Sequence, residues 1–216
     1  MNKLKEIVFV LALAILFPVT LWAADKTFQE PDVEYSADEH METEDFAMQA
    51  KVYHAPGKER REQDMSGMRQ IMIMRSDKGV VWMLMPEQKM YMEMKMKMDQ
   101  GKKDASDIKD YKIEYTVVGE EIVNGMNTTK SKVIMTDKKD NKFSGFMWVS
   151  KEGIMVKMDT VSKVEGANMH VKMERMNIKI QRQDSQLFEV PSGYNKMSMP
   201  AMGGGVNMQD MMKGME

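Results

Sequence analysis

The chain has 216 residues, of which 31 are basic and 33 acidic, and it contains no cysteine. Charges of both signs are interleaved throughout, which excludes the concentrated positive surface of a nucleic-acid-binding protein, and the length suggests one domain. Because no disulfide can form, an exported form of the chain must be stabilised by its core. The compositional anomaly is 29 methionines.

The N-terminus has the pattern of a secretory signal peptide. Two lysines precede an uncharged apolar run at residues 7–17, and a proline and small residues follow. This run is too short to span a membrane comfortably. We therefore predict that residues 1–24 are removed by cleavage after Ala23 or Ala24. The mature protein is then periplasmic, without an integral membrane span; an uncleaved N-terminal anchor is the alternative.

The first part of the mature chain has the pattern of antiparallel strands. Four alternating or apolar runs predict strands at residues 32–40, 46–54, 69–75 and 80–85. Turn residues stand between or after them at positions 56–57, 76–79 and 86–89. Strands separated by such short turns form a meander. Residues 102–110 lack a strand pattern and predict a loop or short helix.

The methionine-rich run at residues 90–98 decides between helix and strand. Methionine occupies every even position of the run: Met90, Met92, Met94, Met96 and Met98. Steps of two residues advance about 200° around a helix and would scatter these side chains, whereas on a strand they share one face. The pattern predicts a half-buried strand with thioethers spread over about 27 Å.

The later strands are predicted at residues 112–117, 128–136, 143–150, 154–161 and 167–181. Asn124-Gly125 favours a type I′ hairpin turn, and Glu152-Gly153 marks a further turn. In the last strand the apolar residues change phase, from Met169, Val171 and Met173 to Met176, Ile178 and Ile180. This change predicts a β-bulge at Glu174-Arg175 that keeps both halves facing inward.

Together these patterns predict an all-β protein with about nine to eleven strands, forming an antiparallel sheet, barrel or half-barrel. The domain extends over residues 25–196. Residues 197–216 consist mainly of methionine, glycine and polar residues, a composition that cannot bury a core and predicts a mobile tail.

The sequence offers little for catalysis. Its three histidines, His40, His54 and His170, are widely separated and have no metal-ligand spacing. Nucleophile-elbow, phosphate-loop and dinucleotide motifs are absent from the sequence. We therefore expect a protein that is not an enzyme and needs no cofactor.

A methionine-rich face permits two interpretations: a closed core, or an adaptable wall for a hydrophobic ligand such as an acyl chain. Binary pattern does not distinguish them. If the face is a wall for a ligand, Trp82 and Trp148 contribute to it provided that their side chains point inward. The residues expected to line the ligand are Met72, Met74, Trp82, Met90, Met92, Met94, Met96, Met98, Trp148 and Met158.

Copper binding is an alternative function. Thioether sulfur is a soft ligand that selects Cu(I), and the tail resembles the methionine-rich segments of bacterial periplasmic copper proteins. Its candidate ligands are Met197, Met199, Met202, Met208, Met211, Met212 and Met215. Two further interpretations fit the same composition: a disordered tail without any site, or a sink for oxidants in which exposed methionine is converted to its sulfoxide.

Three segments resemble a known family. They are residues 75–93 (RSDKGVVWMLMPEQKMYME), 145–150 (GFMWVS) and 187–194 (LFEVPSGY). They resemble an uncharacterised bacterial periplasmic family that is similar to the outer-membrane lipoprotein-sorting, LolA-like carriers. The resemblance covers about residues 32–200.

This resemblance implies an incomplete antiparallel barrel with a helical lid over an acyl-binding cavity, and a lipid or lipidated protein as partner. Carriers of that superfamily have an arginine on an early strand facing the lid, and Lys58-x-Arg60-x-Glu62 is the best match. The chain departs from the pattern here, because residues 58–64 are wholly polar and lack alternation. A lipid-binding or envelope-scaffold role therefore fits better than lipoprotein shuttling itself.

Overall fold

The structure is a computed structural model that describes residues 30–65, 67–96, 112–136, 142–164 and 167–197. Twelve strands occur in these ranges: β1 (Tyr35–Thr43), β2 (Ala47–Ala55), β3 (Lys58–Met65), β4 (Met68–Arg75), β5 (Val80–Met85), β6 (Met90–Lys95), β7 (Lys112–Val123), β8 (Met126–Thr136), β9 (Lys142–Ser150), β10 (Met155–Val164), β11 (Ala167–Ile180) and β12 (Asn195–Lys196). A short 3-10 helix, Ser185–Phe188, precedes β12. None of the described helices is long and apolar enough to cross a membrane.

All twelve strands belong to one sheet with the order β12-β6-β5-β4-β3-β2-β1-β11-β10-β9-β8-β7. The neighbours are antiparallel except that β12 runs parallel to β6. The sheet consists of two meanders, β1 to β6 and β7 to β11, joined through the pairing of β1 with β11. The described strands leave it open, so the predicted all-β, incomplete-barrel fold is confirmed.

The sheet curls along its width. Asn124, in the β7–β8 turn, donates a hydrogen bond from Nδ2 to the carbonyl oxygen of Arg175 on β11 at 3.0 Å. Val123 and Met126, beside this turn, pack against the buried cluster that includes Tyr35 of β1. Because β7 and β11 are separated by three strands in the sheet order, these contacts require a rolled sheet.

Alternation along the strands creates an inner and an outer face, and directly paired residues share a face. The inner face holds a buried methionine row that crosses β1, β11, β10 and β9: Met41, Met173, Met158 and Met147. These four side chains are between 2% and 5% exposed. Val133, Met135 and Val171 complete the same cluster, so this part of the inner face is a closed core.

The outer face of β3 to β6 is covered by the C-terminal segment, residues 182–197. Phe188 is 1% exposed and packs in a cluster with Ile73, Trp82 and Leu84. Two arginines fix the backbone of the segment: Arg60 donates to the carbonyl of Leu187 at 2.9 Å, and Arg75 donates to that of Phe188 at 3.0 Å. The C-terminal segment thus buries the outer face of β4 and β5, where Ile71, Ile73, Trp82 and Leu84 lie.

The β-bulge in the last strand is real but lies downstream of the predicted position. Ser36 pairs with Lys179 whereas Asp38 pairs with Met176, so three steps on β11 oppose two on β1. Asn177 has a positive φ of 52°, which asparagine tolerates better than most residues. The strand changes phase only after Arg175.

The prediction that all three later apolar residues of this strand point inward is wrong for Met176. Met176 pairs with Asp38 on the outer face and is 40% exposed, whereas Arg175 points inward. Ile180 pairs with Tyr35 on the inner face, although it is 46% exposed. Ile178, beyond the bulge, does pack against the inner cluster.

The wholly polar run at residues 58–64 is a strand, β3, in the interior of the sheet. Its charges alternate between the faces and are paired on both. Arg60 and Glu62 form an ion pair of 2.7 Å on the outer face, and Glu59 and Arg61 form one of 2.7 Å on the inner face. Arg60, the predicted carrier-type arginine, thus lies on the face opposite the core, beneath the C-terminal segment.

Candidate functional site

The inner face of β4, β5 and β6 carries a two-dimensional array of thioethers. Met72 pairs with Met83 and Met83 with Met92; Met74 pairs with Val81 and Val81 with Met94; Met85 pairs with Met90. We call these eight residues the methionine block. The predicted extended conformation and common face of the even-numbered methionines are confirmed for Met90, Met92 and Met94. Met98 lies outside the described residues.

Burial separates this block from the closed core. Met74 and Val81 are each 5% exposed, but six members of the block are only half-buried: Met72, Met83, Met85, Met90, Met92 and Met94. Met96, just after β6, is half-buried too. Of the residues expected to line a ligand, Met158 instead belongs to the buried row. On the described inner face, the row of Met41, Met147, Met158 and Met173 is thus tightly packed, with Met48 and Met169 half-buried at its border, whereas six of the seven methionines of the block are partly accessible.

The two tryptophans lie on the outer face. Trp82 pairs with Ile73 and Glu93, and its indole donates to Glu93 Oε2 at 3.0 Å. Trp148 pairs with Lys130 and Lys157, and its indole donates to Glu121 Oε2 at 2.7 Å. The sequence pattern left their direction open. Neither tryptophan therefore lines the inner face with the predicted ligand-lining methionines, because side-chain direction in a strand follows residue parity.

A buried ionic network crosses the inner face beside the block. Glu39 accepts hydrogen bonds from Arg61 at 2.5 Å and from Arg175 at 2.9 Å. Arg175 also donates to the hydroxyl of Tyr35 at 2.7 Å, and Arg61 extends the network to Glu59. Two guanidiniums and two carboxylates thus compensate one another in the interior.

The network shifts its members' pKa values. Burial acts to raise the pKa of Glu39, but Arg61 and Arg175 outweigh it, so the pKa lies below its usual range. The pKa of Glu59 is lowered by the same balance, with burial opposed chiefly by Arg61. Burial raises the pKa of Tyr35 to about 12. The network is therefore built to stay ionised at neutral pH, with the tyrosine neutral.

The network borders the methionine block. Arg61 pairs directly with Met72, and Glu59 pairs with Met74. The sequence patterns did not predict this network, although one signal was available: Tyr35, Ala37, Glu39 and Met41 alternate along β1, which places Glu39 among inward-facing apolar positions. Its partners are remote in sequence and could not be found by spacing.

The histidines do not form a site. His54 stacks on Tyr35 with ring centroids 5.0 Å apart and its Nε2 lies 3.0 Å from the carbonyl oxygen of Pro31. His170 contacts Asp159 at 2.5 Å on the outer face, and His40 pairs with Gln49 there. No group of three or more histidine, aspartate or glutamate side chains among the described residues could hold a metal ion.

Of the predicted copper ligands in the tail, only Met197 lies within the described residues, where its backbone N–H donates to the carbonyl of Tyr91 at 2.8 Å. The other six lie outside them: Met199, Met202, Met208, Met211, Met212 and Met215.

Fold and inner face define an open β half-barrel with one closed and one accessible half. Residues 36–168 match the family described as a domain of unknown function, DUF4412. The chain belongs to this family. No curated protein matches it in sequence.

Several solved structures are similar. An uncharacterised conserved protein from Thermus thermophilus has a TM-score of 0.52 at 12% identity, covering 77% of this chain and 90% of that one, which supports the half-barrel fold. The Pseudomonas aeruginosa MucA/MucB complex gives 0.46 at 13% identity, covering 73% and 56%, so the chain spans little more than half of that protein. A putative outer membrane lipoprotein-sorting protein domain from Vibrio parahaemolyticus gives 0.33 at 11% identity, covering 73% and 90%. A lipoprotein-sorting domain is thus among the similar structures.

Proposed function

We propose that this chain is a periplasmic, non-enzymatic binding protein that holds a hydrophobic ligand, the acyl chain of a lipid or of a lipidated protein, against the methionine block. The observation that carries the proposal is the half-burial of six block methionines on the same face as the closed row of Met41, Met147, Met158 and Met173. Periplasmic localisation rests on the signal-peptide pattern of residues 1–24.

The block has suitable dimensions and chemistry. Three strands at a spacing of about 4.8 Å give a wall about 10 Å wide, and Met90 to Met96 extends about 20 Å along β6. Methionine side chains are unbranched and adjust to ligands of varied shape. Each buried methylene contributes about 0.8 kcal/mol, so a chain of about twelve carbons gains about 10 kcal/mol before the cost of association.

The buried ionic network at the border of the block is not available to bind a charged headgroup. Arg61 is engaged by both Glu39 and Glu59, and removing it from these carboxylates would leave Glu59 without its ion-pair partner and Glu39 with Arg175 alone, at a cost of several kcal/mol. We therefore expect affinity to follow acyl-chain length rather than headgroup charge.

The test is a titration of delipidated protein with a naturally fluorescent polyene fatty acid. Met83→Gln and Met92→Gln keep the side-chain length but bury an amide that the ligand cannot satisfy, at about 1–3 kcal/mol. Each should weaken binding about tenfold or more. The matched control, Met176→Gln on the exposed outer face, should bind like the wild type. A wild type that binds no fatty acid, or block variants that bind it undiminished, would refute the proposal.

A second experiment addresses the natural ligand. Protein purified gently from the cell envelope and analysed by native mass spectrometry should carry lipid, and the Met83→Gln protein should carry less. Equal occupancy in both proteins would place the lipid elsewhere.

A further inference from the structure

The middle row of the methionine block brings three thioethers together. Met72, Met83 and Met92 are consecutive cross-strand partners on β4, β5 and β6. Directly opposed residues have Cβ atoms about 5 Å apart, and each methionine has three rotatable bonds before its terminal methyl. The outer two side chains can therefore lean towards Met83, so that the three sulfurs converge above the central strand.

The sulfur of Met83 already acts as an acceptor. Gln70 Nε2 donates to Met83 Sδ at 3.2 Å, so one lone pair of this sulfur is directed towards a polar group and the other is left for a ligand. All three residues of the row are half-buried, in contrast to the inner row around Met158, which is closed. A small cation can reach the row from solvent.

The surroundings favour a soft cation. Thioethers are neutral, soft ligands that select Cu(I) over hard cations, which need oxygen ligands. Arg61, which pairs directly with Met72, has its charge compensated by Glu39 and Glu59. The nearest carboxylate in the register, Glu59 beside Met74, is thereby already paired. A site with three neutral ligands and no free anion favours a monovalent ion, since a second positive charge would double the uncompensated charge.

The neighbouring rows are less complete. The row of Met74 and Met94 has Val81 at its centre, and Met85 and Met90 form a pair. Three adjacent thioethers therefore occur in the block only at the middle row.

We propose that Met72, Met83 and Met92 form a binding site for Cu(I). This site lies on the sheet, not in the methionine-rich tail. It does not rest on the acyl-chain proposal, because it depends on the sulfur atoms themselves, whereas an acyl chain needs only an apolar surface.

Leucine substitutions separate the two properties, since leucine keeps the apolar surface and removes the ligand. The full-length mature protein is titrated with Cu(I) anaerobically, in competition with a chromophoric Cu(I) chelator. The triple variant M72L/M83L/M92L should bind Cu(I) more than about 100-fold more weakly, because loss of ligands exceeds the effect of losing outer-shell contacts. The matched triple control, M85L/M90L/M94L, should bind like the wild type.

The tail is tested in the same assay. A full-length variant with glutamine at Met197, Met199, Met202, Met208, Met211, Met212 and Met215 should retain the high-affinity Cu(I) site. If this variant loses Cu(I) binding while M72L/M83L/M92L keeps it, the proposal is overturned in favour of the tail.

A measurement on the wild-type protein tests the same site without depending on whether the variants fold. With methionine labelled at its methyl carbon, NMR spectra recorded during titration with Ag(I), a redox-stable analogue of Cu(I), should show shifts first at the methyl groups of Met72, Met83 and Met92. Single Met→Leu variants assign the signals. Unchanged signals at these three positions, or earlier shifts elsewhere, would overturn the proposal.

Discussion

Arg61 on β3 donates a hydrogen bond to Glu39 on β1 at 2.5 Å, although β2 lies between the two strands. The contact is possible because the β2 residues paired with them are small: Ala50 is opposite Glu39, and Val52 is opposite Arg61. The two long side chains meet above β2. Since Glu39 also binds Arg175 of β11, the same carboxylate connects the two meanders of the sheet.

Loss of this carboxylate should destabilise the fold strongly. Glu39→Gln leaves two buried guanidiniums facing Glu59 alone, and breaking a buried ion pair in this way costs about 3–5 kcal/mol. Urea denaturation should show a correspondingly lower midpoint. The control is Glu42→Gln, an exposed position on the same strand, which should change stability by less than about 0.5 kcal/mol. Equal midpoints for the two variants would mean that the network contributes nothing net.

The same network predicts how stability depends on pH. The pKa values of Glu39 and Glu59 are lowered in the folded protein, so the unfolded chain binds protons more readily and stability is lost on acidification. Their contribution is fully present above about pH 4.3, the pKa of glutamate in an unfolded chain, and disappears as the pH falls through the lower folded values. Thermal unfolding between pH 7 and pH 3 should show a decline below about pH 4.3 that is shallower for Glu39→Gln. Parallel curves for the two proteins would contradict this assignment.

Local sequence patterns predicted the structure correctly where residues close in sequence determine it. Alternation at residues 90–95 predicts β6, and Asn124-Gly125 predicts a type I′ turn, which the φ values of 49° and 80° confirm. Trp82 is different: β5 is apolar at every position, because the C-terminal segment covers its outer face and the methionine block lies on its inner face. Parity then carries no information about direction.

Long-range pairing explains what the sequence could not show. The strand β3 has no apolar alternation, and only the partners of its charges, among them Glu39, make its burial possible. Arg175 points to the inner face because the bulge lies at Asn177, two residues beyond it. The preference of asparagine for positive φ was a usable signal for that position. The ion pairs themselves depend on topology.

Gly145 should not tolerate a side chain. A Cβ at this position on β9 would lie 2.2 Å from the carbonyl oxygen of Asp159 and 2.5 Å from the Cα of Thr160. Both are backbone atoms of β10, so the two strands would have to separate, and overpacking of this kind costs about 1–3 kcal/mol. Gly145→Ala should lower the urea midpoint accordingly.

Gly119 provides the matched control for this substitution. It also lies in a strand, β7, and a Cβ there has no neighbour within 4 Å. Gly119→Ala should be neutral or slightly stabilising, because alanine reduces the conformational entropy of the unfolded chain. If both alanine variants unfold alike, the close approach of β9 and β10 at Gly145 is incorrect.

Phe188 should anchor the C-terminal segment to the outer face. Its ring is 1% exposed in a cluster with Trp82, so Phe188→Ala removes a fully buried aromatic side chain and should cost about 3–5 kcal/mol. Because the cavity opens beside the indole of Trp82, tryptophan emission of the folded variant should shift to longer wavelength. In protein without residues 1–24, and therefore without Trp22, a Trp148→Phe background assigns that emission to Trp82.

Phe146→Ala is the matched control. This ring is 36% exposed and contacts Trp148 and Lys130 on the outer face. A cation–π contact at such a site contributes about 0.5–1 kcal/mol, so the variant should lose no more than about 1 kcal/mol. If Phe188→Ala is equally mild and leaves the emission of Trp82 unchanged, the segment is held by the backbone hydrogen bonds from Arg60 and Arg75 rather than by its aromatic side chain. The double variant Phe188→Ala with Arg75→Gln would then carry the loss of stability that the single substitution lacks.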